Sequence, residues 1–279
     1  MNVRKVNYKQ KDAPYQFTRS LKQTGFSILT NHPIKKDLID NVYTEWKGFF
    51  NSSIKDKYLF DPIKQDGYFP FLTENAKDHL IKDLKEFYHV YPWGRYPTEI
   101  SDATKVLYNQ LLELTSTLLG WIQEETPEKV KSSFSVPLNE MIVDSKTNLL
   151  RIIHYPPLDG NEEDGAIRGA AHEDINLITV LVAGTQPGLQ VKDINDFWHD
   201  VSCDPGCLAI NTGDMLQEAS AGYFPSTTHQ IINPRDNKEN VSRFSMPLFL
   251  HPRDSIKLSD KYTARGYLDE RLTEIGLKE

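Results

Sequence analysis

Hydrophobic residues recur at helical spacing in the first half of the chain. Within residues 99–125 the apolar side chains fall three or four positions apart, which predicts a long amphipathic helix. The members of that apolar face are Val106, Leu107, Leu111, Leu114, Leu118 and Trp121. The stretches "DAPYQFTRSLKQTG" and "PIKKDLIDNVYTEWKGFF" predict two earlier helices, the first ending on a glycine and the second opening on a proline. A short strand, "GFSILTNH", is predicted between them.

After residue 147 the pattern changes to short apolar runs separated by turn residues. Those runs are "NLLRIIHY", "INLITVLV", "GLQVKD", "FWHDV", "CLAINTGDML", "HQIINP" and "RFSMPLFLHP". Several short strands with turns between them predict a β-sandwich or a barrel, and the tail "YTARGYLDERLTEIG" predicts a closing helix. We therefore predict a single domain over 1–279, with a mainly helical N-terminal cover (1–147), a β core (148–250) and a C-terminal helical tail (251–279).

Composition and charge narrow the class of partner. The 279 residues carry 39 acidic and 32 basic side chains, a net charge of −7, which argues against nucleic acid or an anionic membrane as the main partner. No apolar run reaches the length of a membrane-spanning helix, and the first residues lack the apolar core of a signal peptide. We therefore expect a cytoplasmic protein. Cys203 and Cys207, which flank "DPG", are expected to be reduced thiols.

The stretch "GAAHEDINLITVL" places a histidine and two carboxylates at the start of an apolar run. If one strand runs from this motif through Val182, alternate side chains share a face, so His172 and Asp174 point the same way and Glu173 points away. An imidazole beside a carboxylate is compatible with two ligands of one metal, and equally with a hydrogen-bonded structural pair. The motif alone leaves both interpretations open.

A second histidine and an anion-binding pair follow in the C-terminal half. His229 lies in "STTHQIINP" and Arg243 and Ser245 lie in "RFSMPLF", again two positions apart on a predicted strand. Two histidines and one carboxylate bind Fe(II) in oxygenases and leave coordination positions open. An arginine fork with a hydroxyl beside it suits a carboxylate. The ordered set predicts a metal site with a neighbouring clamp for an organic acid.

These residues belong to motifs that resemble the iron- and 2-oxoglutarate-dependent dioxygenases, in the branch that contains isopenicillin N synthase and the plant flavonoid and gibberellin oxidases. The resemblance extends over nearly the whole chain. It rests on "LKQTGFSILTNHPI", "DGYFPF", "DLKEFYHV", "RIIHYPP", "HEDINLITVL", "GLQV", "NTGDMLQEASAGYFPSTTHQI" and "RFSMPLF". The fold that the resemblance implies is mainly β with flanking helices, a double-stranded β-helix or jelly roll.

The resemblance also implies a set of cofactors and their residues. His172, Asp174 and His229 would bind Fe(II) and carry the catalytic function, with 2-oxoglutarate and O2 as cosubstrates and ascorbate to be considered as a reductant. Arg243 and Ser245 would bind the distal carboxylate of 2-oxoglutarate.

Two positions flank that predicted clamp. Tyr155, the tyrosine before "PP", is a further candidate for the same carboxylate. The plant branch has an asparagine two places earlier, where this chain has Ile153, so that contact with the cosubstrate is absent.

The function implied is oxidation of a small organic substrate by hydroxylation, desaturation or ring closure. One alternative is an oxidase like isopenicillin N synthase, which uses no 2-oxoglutarate and whose Arg-x-Ser pair grips a carboxylate of its substrate; "HED" followed by "LITVL" resembles that enzyme. A non-catalytic binding protein on the same barrel is a second alternative. A zinc hydrolase would need Glu173 as a general base, and that side chain is predicted to face away from the metal.

Four residues are candidates for substrate contacts. Tyr68 and Phe224 could supply apolar walls, whereas Arg168 and Arg95 could each meet an anionic group. We hypothesise that Arg168 recognises a carboxylate of the substrate. The identity of the substrate and the oligomeric state stay open.

Overall fold

Two β-sheets packed face to face form the centre of the molecule. The computed structural model describes residues 1–75 and 80–274. An eight-stranded major sheet has the spatial order β1 (Lys5–Asn7), β2 (Phe26–Thr30), β10 (Leu208–Thr212), β7 (Ile178–Val182), β12 (Arg243–Leu250), β5 (Leu149–Tyr155), β4 (Glu86–Val90) and β3 (Gly67–Phe69). A four-stranded minor sheet has the order β6 (Gly169–His172), β11 (His229–Ile231), β8 (Leu189–Lys192) and β9 (Trp198–Asp200). Neighbouring strands are antiparallel except β1 and β2, and the predicted jelly roll is confirmed.

Helices cover the outer face of the major sheet. They are α1 (Ala13–Thr24), α2 (Lys36–Phe50), α3 (Ala103–Glu125), α4 (Glu128–Lys131), α5 (Leu138–Met141), α6 (Asp214–Ala219) and α7 (Ala264–Glu274), with a 3-10 helix at Ser53–Tyr58. The helices predicted at α1, α2, α3 and α7 are confirmed. Gly25 ends α1 with φ of +66°, a left-handed conformation that favours glycine, and its N–H donates to the Leu21 carbonyl. Within the described part of the chain, no helix is long and apolar enough to span a bilayer.

Alternation along the strands of the major sheet separates two cores. On β12, Phe244, Met246 and Leu248 pack toward the helices, whereas Arg243 and Ser245 face the minor sheet. The helix-side core is the larger one and contains most of the buried aliphatic residues. The inter-sheet core is smaller and includes polar and charged side chains. Side chains that could bind a ligand are therefore concentrated between the two sheets.

The N-terminal segment contributes strands as well as helices. The sequence pattern predicted one strand before residue 147, whereas the described residues there form four, of which β4 pairs directly with β5. The reason lies in the burial of β4, whose five residues are all inaccessible. A strand that is buried on both faces has no alternation of polar and apolar positions to reveal it.

The predicted strand from His172 through Val182 is wrong. Strand β6 ends at His172 and β7 begins at Ile178, so that the chain crosses between the two sheets through residues 173–177. The backbone of this crossing pairs with the start of α6 instead of with a strand. The Leu177 carbonyl accepts the Gly213 N–H, and the Asp174 carbonyl accepts the Asp214 N–H. His172 and Asp174 therefore meet through a loop and not through strand alternation.

Candidate functional site

His172, Asp174 and His229 come together at one end of the space between the sheets. One ligand atom from each lies within 4.8 Å of the other two. The Nε2 atoms of both histidines are 3.8 Å from Oδ1 of Asp174, and the two imidazole centroids are 4.4 Å apart. The pairing of β6 with β11 sets His172 directly opposite His229. The sequence-predicted triad is therefore a spatial cluster.

Hydrogen bonds from the far side of each imidazole leave the inner nitrogen available. Nδ1 of His172 donates to the Ala170 carbonyl at 2.7 Å, and Nδ1 of His229 donates to the Thr227 carbonyl at 3.1 Å. A carbonyl oxygen can only accept, so Nδ1 carries the proton in each neutral ring. Nε2 then keeps its lone pair, which is the form that ligates a metal.

Asp174 is oriented by two polar side chains on the major sheet. Its Oδ2 accepts from Nδ2 of Asn211 at 2.7 Å and from the Thr179 hydroxyl, while Oδ1 faces the histidines. Asn176 donates to the same Thr179 hydroxyl at 2.9 Å. Because one carboxylate oxygen is held by these donors, the other is fixed toward the cluster centre.

The electrostatics of the cluster favour binding of a cation. Burial raises the pKa of Asp174, but the two imidazoles and the hydrogen bonds from Asn211 and Thr179 outweigh it, so the pKa lies below its usual range. Burial lowers the pKa of His172, and repulsion from His229 lowers it further. At neutral pH the cluster thus combines an ionised carboxylate with a neutral His172. This donor set fits a divalent transition metal and leaves coordination positions open.

The loop that carries Asp174 lies directly against Gly213. A Cβ at that position would be 2.3 Å from the Asn176 carbonyl oxygen and 2.7 Å from the Asp174 carbonyl oxygen. Both are backbone atoms, so they cannot move aside as a flexible side chain would. A glycine at residue 213 is therefore required for the observed position of Asp174.

The predicted carboxylate clamp lies deeper between the sheets. Arg243 is opposite Tyr155 in the pairing of β12 with β5, and its guanidinium carbon is 5.0 Å from the centre of the Tyr155 ring. Nε of Arg243 donates to the Gln186 and Pro187 carbonyls, at 3.1 and 3.2 Å. Nη1 is buried without a hydrogen-bond partner among the described residues. An orphaned, buried guanidinium N–H fits a carboxylate ligand.

Ser245 lies one step along the same face of β12. It is buried, as are Tyr155 and Arg243, and it is opposite Ile153 on β5. Gly184 permits the approach of Arg243, because a Cβ there would be 2.7 Å from Nη2 of the guanidinium. The structure therefore brings Arg243, Ser245 and Tyr155 together as neighbours on paired strands.

Three of the four residues predicted to contact substrate are held by contacts with other parts of the chain. Tyr68 is buried on the helix side of the major sheet, where its hydroxyl donates to Glu86. Phe224 is fully buried in the same helix-side core. Arg95 pairs with Asp66, with Nη2 3.2 Å from Oδ1. None of these contacts involves the metal cluster, and a substrate role for these three residues stays a prediction.

Arg168 is buried and lines the same cavity of about 350 Å³ as Arg243. The three residues of the metal cluster are not among those that line this cavity. The hypothesis that Arg168 recognises a carboxylate of the substrate stays a prediction.

A cluster of ionised residues near the triad was missed by the sequence interpretation. Arg151 grips Glu74 with both terminal nitrogens, at 2.9 and 3.2 Å, and Lys85 contacts Glu74 and Asp83, at 2.8 and 2.7 Å. Burial lowers the pKa of Lys85, but the two carboxylates outweigh it and raise that pKa above its usual value. Asp83 also accepts the N–H of Ala170, two residues before the first histidine ligand. We call Glu74, Asp83, Lys85 and Arg151 the ionic wall.

A signal for the ionic wall was present in the sequence. The motif "DLKEFYHV" places two acidic residues and a lysine at the start of an otherwise apolar run. Charges at such positions are rarely buried unless they are paired. Glu74 and Arg151 are too far apart in the chain for any local pattern to have linked them to that motif.

Glu173 faces away from the metal cluster, as predicted. It is exposed, and its carboxylate accepts from the Thr228 hydroxyl. The expected general base of a hydrolytic metal site is therefore absent from this position.

Two family models and one named relative match this chain. Residues 146–252 match the model of the 2OG-Fe(II) oxygenase superfamily, and residues 7–110 match that of the N-terminal region of non-haem dioxygenases in morphine synthesis. Flavonol synthase 1 of Crocosmia x crocosmiiflora is 30% identical over 254 residues, which cover 83% of this chain and 70% of that protein.

Two crystal structures are similar over almost their whole length. A Shewanella oneidensis protein named as an oxygenase is 51% identical, with a TM-score of 0.90 and 99% of each chain covered. A Caulobacter crescentus protein named as a member of the 2OG-Fe(II) oxygenase family is 29% identical, with a TM-score of 0.82 over 98% of this chain and 99% of that one. These similarities favour a 2-oxoglutarate-dependent enzyme over an oxidase that needs no 2-oxoglutarate.

Proposed function

The chain belongs to the 2OG-Fe(II) oxygenase superfamily, and from this premise we propose that His172, Asp174 and His229 bind its Fe(II) while Arg243 holds its 2-oxoglutarate. The observation that carries the proposal is the convergence of the three ligand atoms within 4.8 Å. Enzymes of this family use Fe(II), 2-oxoglutarate and O2 as dioxygenases. The reaction is an oxidation of a small organic molecule.

Each residue of the cluster has a defined task in this proposal. When bound, Fe(II) with 2-oxoglutarate and O2 supplies the oxidant for a substrate C–H bond. His172 and His229 offer the Nε2 lone pairs that their Nδ1 hydrogen bonds leave free. Asp174 offers Oδ1, and Asn211 and Thr179 hold its other oxygen in place. These contacts fix the ligand geometry before the metal arrives, which lowers the cost of ordering the site.

The distal carboxylate of 2-oxoglutarate lies against Arg243 in this proposal. Support comes from the buried Nη1, which has no partner among the described residues, and from Ser245 on the same face of β12. The Gln186 and Pro187 carbonyls orient the guanidinium by accepting from Nε. Tyr155 forms the surface on which the guanidinium stacks and is a weaker candidate for direct contact. Ascorbate as an accessory reductant stays a proposal from family resemblance.

We propose that the substrate carries polar groups and lies against the ionic wall. Asp83 contacts the strand that bears His172, so this wall adjoins the metal cluster. Glu74 is the most accessible of its charged side chains, at 21% exposure, and is therefore the first that a substrate would meet. Hydrogen-bonding groups on a substrate are well matched to such a surface, whereas a purely apolar molecule would leave its charges desolvated.

The division of the chain also remains our proposal. We assign the catalytic jelly roll to 148–250, the cover to 1–147 and the tail to 251–279, within one domain. The four N-terminal strands of the major sheet support a single domain, because the cover and the core share one sheet.

Anaerobic titration of the Fe(II)-loaded protein with 2-oxoglutarate tests the proposal. A saturable visible charge-transfer band is expected from chelation of the keto acid. Arg243→Gln should weaken the apparent affinity about 10- to 100-fold, since a charged hydrogen bond contributes roughly 1.5–3 kcal/mol. Arg235→Gln is the matched control, because Arg235 lines the same cavity but is exposed and paired with Asp200. Bound iron with no band would contradict the proposal and favour an oxidase without 2-oxoglutarate.

A further inference from the structure

Two buried guanidinium groups line one cavity at the end of the sandwich away from the metal cluster. Arg168 and Arg243 are each only 2% exposed, and both line the cavity of about 350 Å³. Arg168 immediately precedes β6, and Arg243 begins β12, so the two side chains approach from opposite sheets. Repulsion between them is evident in the pKa of Arg168, which burial lowers first and Arg243 lowers further.

Neither arginine is neutralised by the part of the chain that the structure describes. No carboxylate there lies within ion-pair distance of either guanidinium. Arg168 donates from Nη2 to the Val241 and Pro156 carbonyls, at 2.8 and 3.3 Å, and its Nε is buried without a partner. Arg243 likewise donates to carbonyls only, and its Nη1 is unpartnered.

Such an arrangement is unfavourable unless an anion binds. Two buried cations with no counterion repel one another and lose hydration, whereas buried charges in proteins are normally paired. Lys85 is also buried, but it contacts two carboxylates, which shows how this chain compensates a charge that has a structural role. The backbone carbonyls hold the two guanidiniums in place without satisfying their charge, which leaves N–H donors for a ligand.

We propose that Arg168 and Arg243 form a two-arginine clamp for the distal carboxylate of 2-oxoglutarate. This inference rests on the proposed function, and it adds to it a second cosubstrate-binding residue from the opposite sheet. A carboxylate has two oxygens and about four lone-pair sites, so it can accept from both guanidiniums at once. Arg168 thereby determines selectivity for a keto acid with a distal carboxylate.

Calorimetry on the Mn(II)-loaded protein, which cannot turn over, tests the clamp with two ligands. The first is 2-oxoglutarate, and the second is 2-oxopentanoate, which has the same carbon chain with a methyl group in place of the distal carboxylate. Arg168→Gln should weaken the binding of 2-oxoglutarate about 10- to 100-fold and leave the affinity for 2-oxopentanoate within about twofold. Only the first ligand has a distal charge that Arg168 can contact. Arg168→Lys keeps the charge without the fork and should fall between native and Arg168→Gln.

The outcomes separate this inference from the proposed function. Equal weakening of both ligands, or no change in either, overturns the two-arginine clamp while native binding of 2-oxoglutarate leaves the proposed function intact. A native protein that binds neither keto acid overturns both. If Arg168→Gln does not fold, as judged by circular dichroism, Arg168→Lys carries the same comparison, and Arg235→Gln again serves as the control with native affinity for both ligands.

Discussion

The two ends of the space between the sheets bury side chains of opposite charge. At the metal end an ionised carboxylate, Asp174, lies among neutral hydrogen-bonding groups and a histidine whose pKa is lowered. At the other end Arg168 and Arg243 face backbone carbonyls, with no carboxylate in reach among the described residues. One end is suited to a cation and the other to an anion. Fe(II) and 2-oxoglutarate are ligands of these two kinds.

The two ends also differ in how they are built. Arg243 and Tyr155 lie on strands that are hydrogen-bonded to each other, so their positions follow from the register of the sheet. Asp174 lies on a crossing loop, whose position depends on contacts with Gly213 and Asn211. The metal end is therefore the more sensitive to changes outside its ligands. The effect of removing a metal ligand should therefore be distinguishable from the effect of displacing the loop that carries it.

Loss of the carboxylate should have the largest effect. Asp174→Asn keeps the shape of the side chain but removes its charge, and we expect the affinity for Mn(II) or Fe(II) to fall by at least about 1,000-fold, since even residues that only orient a ligand contribute roughly 10- to 100-fold. Isothermal titration calorimetry and succinate formation measure the two consequences.

The neighbouring carboxylate provides the matched control for this change. Glu173→Gln makes the same carboxylate-to-amide substitution one residue earlier, on a side chain that is exposed and bonded to Thr228. It should bind metal as the native protein does. Equal loss of affinity in Glu173→Gln would mean that net negative charge near the loop, and not ligation by Asp174, accounts for binding.

The sequence predicted much of this architecture, but it did not predict which face of each strand is interior. The spacing of turns after residue 147 predicted most of the strands, and the motifs around His172, His229 and Arg243 predicted the candidate metal cluster and one of the two arginines. Alternation along a strand identifies which residues share a face and not which face is interior. Tyr68 and Phe69 illustrate this point, because Tyr68 packs beneath the helices while Phe69 enters the inter-sheet core.

Long-range contacts account for the other features that the sequence did not predict. The end of β6 at His172 is set by hydrogen bonds to α6, some forty residues later in the chain, so the apolar run gave no sign of it. The position of Arg168 beside Arg243 similarly depends on how the minor sheet packs on the major one. Neither relation leaves a local sequence pattern.

Displacement of the loop should have the second largest effect. A methyl group in Gly213→Ala would overlap backbone oxygens of Asp174 and Asn176, so we expect the free energy of unfolding to fall by about 3 kcal/mol and the metal affinity to fall with it. The carboxylate clamp should keep its selectivity between 2-oxoglutarate and 2-oxopentanoate, because it does not depend on this loop. Thermal unfolding and calorimetry measure both quantities.

A glycine in an open environment provides the control for Gly213→Ala. Gly120 lies within α3, and a Cβ there would have no neighbour within 4 Å. Gly120→Ala should raise the stability by about 0.5–1 kcal/mol, since alanine restricts the unfolded chain and favours a helix. A Gly213→Ala protein as stable as the native one would contradict the dependence of the metal end on this close contact.

The smallest expected effect comes from a region where charges are balanced within the chain. His89, next to the ionic wall, accepts from Nε of Arg151 at 2.9 Å through Nε2 and donates from Nδ1 to the Gln65 carbonyl at 2.7 Å. The contact with Arg151 requires a neutral ring, because a protonated Nε2 cannot accept. Burial and repulsion from Arg151 lower the pKa of His89 to about 3.

The stability of the fold depends on pH because His89 has a lower pKa in the folded chain than in the unfolded chain. In the unfolded chain the pKa is near 6.5, so below that pH the unfolded state binds a proton that the folded state does not. The stabilisation is fully present above pH 6.5 and declines as the pH falls, by about 1 kcal/mol at pH 6. Chemical unfolding of the native protein and of His89→Gln at pH 7.5 and pH 6 should show a smaller loss in the variant. An identical loss in both would mean that the ionic wall accommodates a protonated His89, and that charge balance there is less strict than at either end of the site.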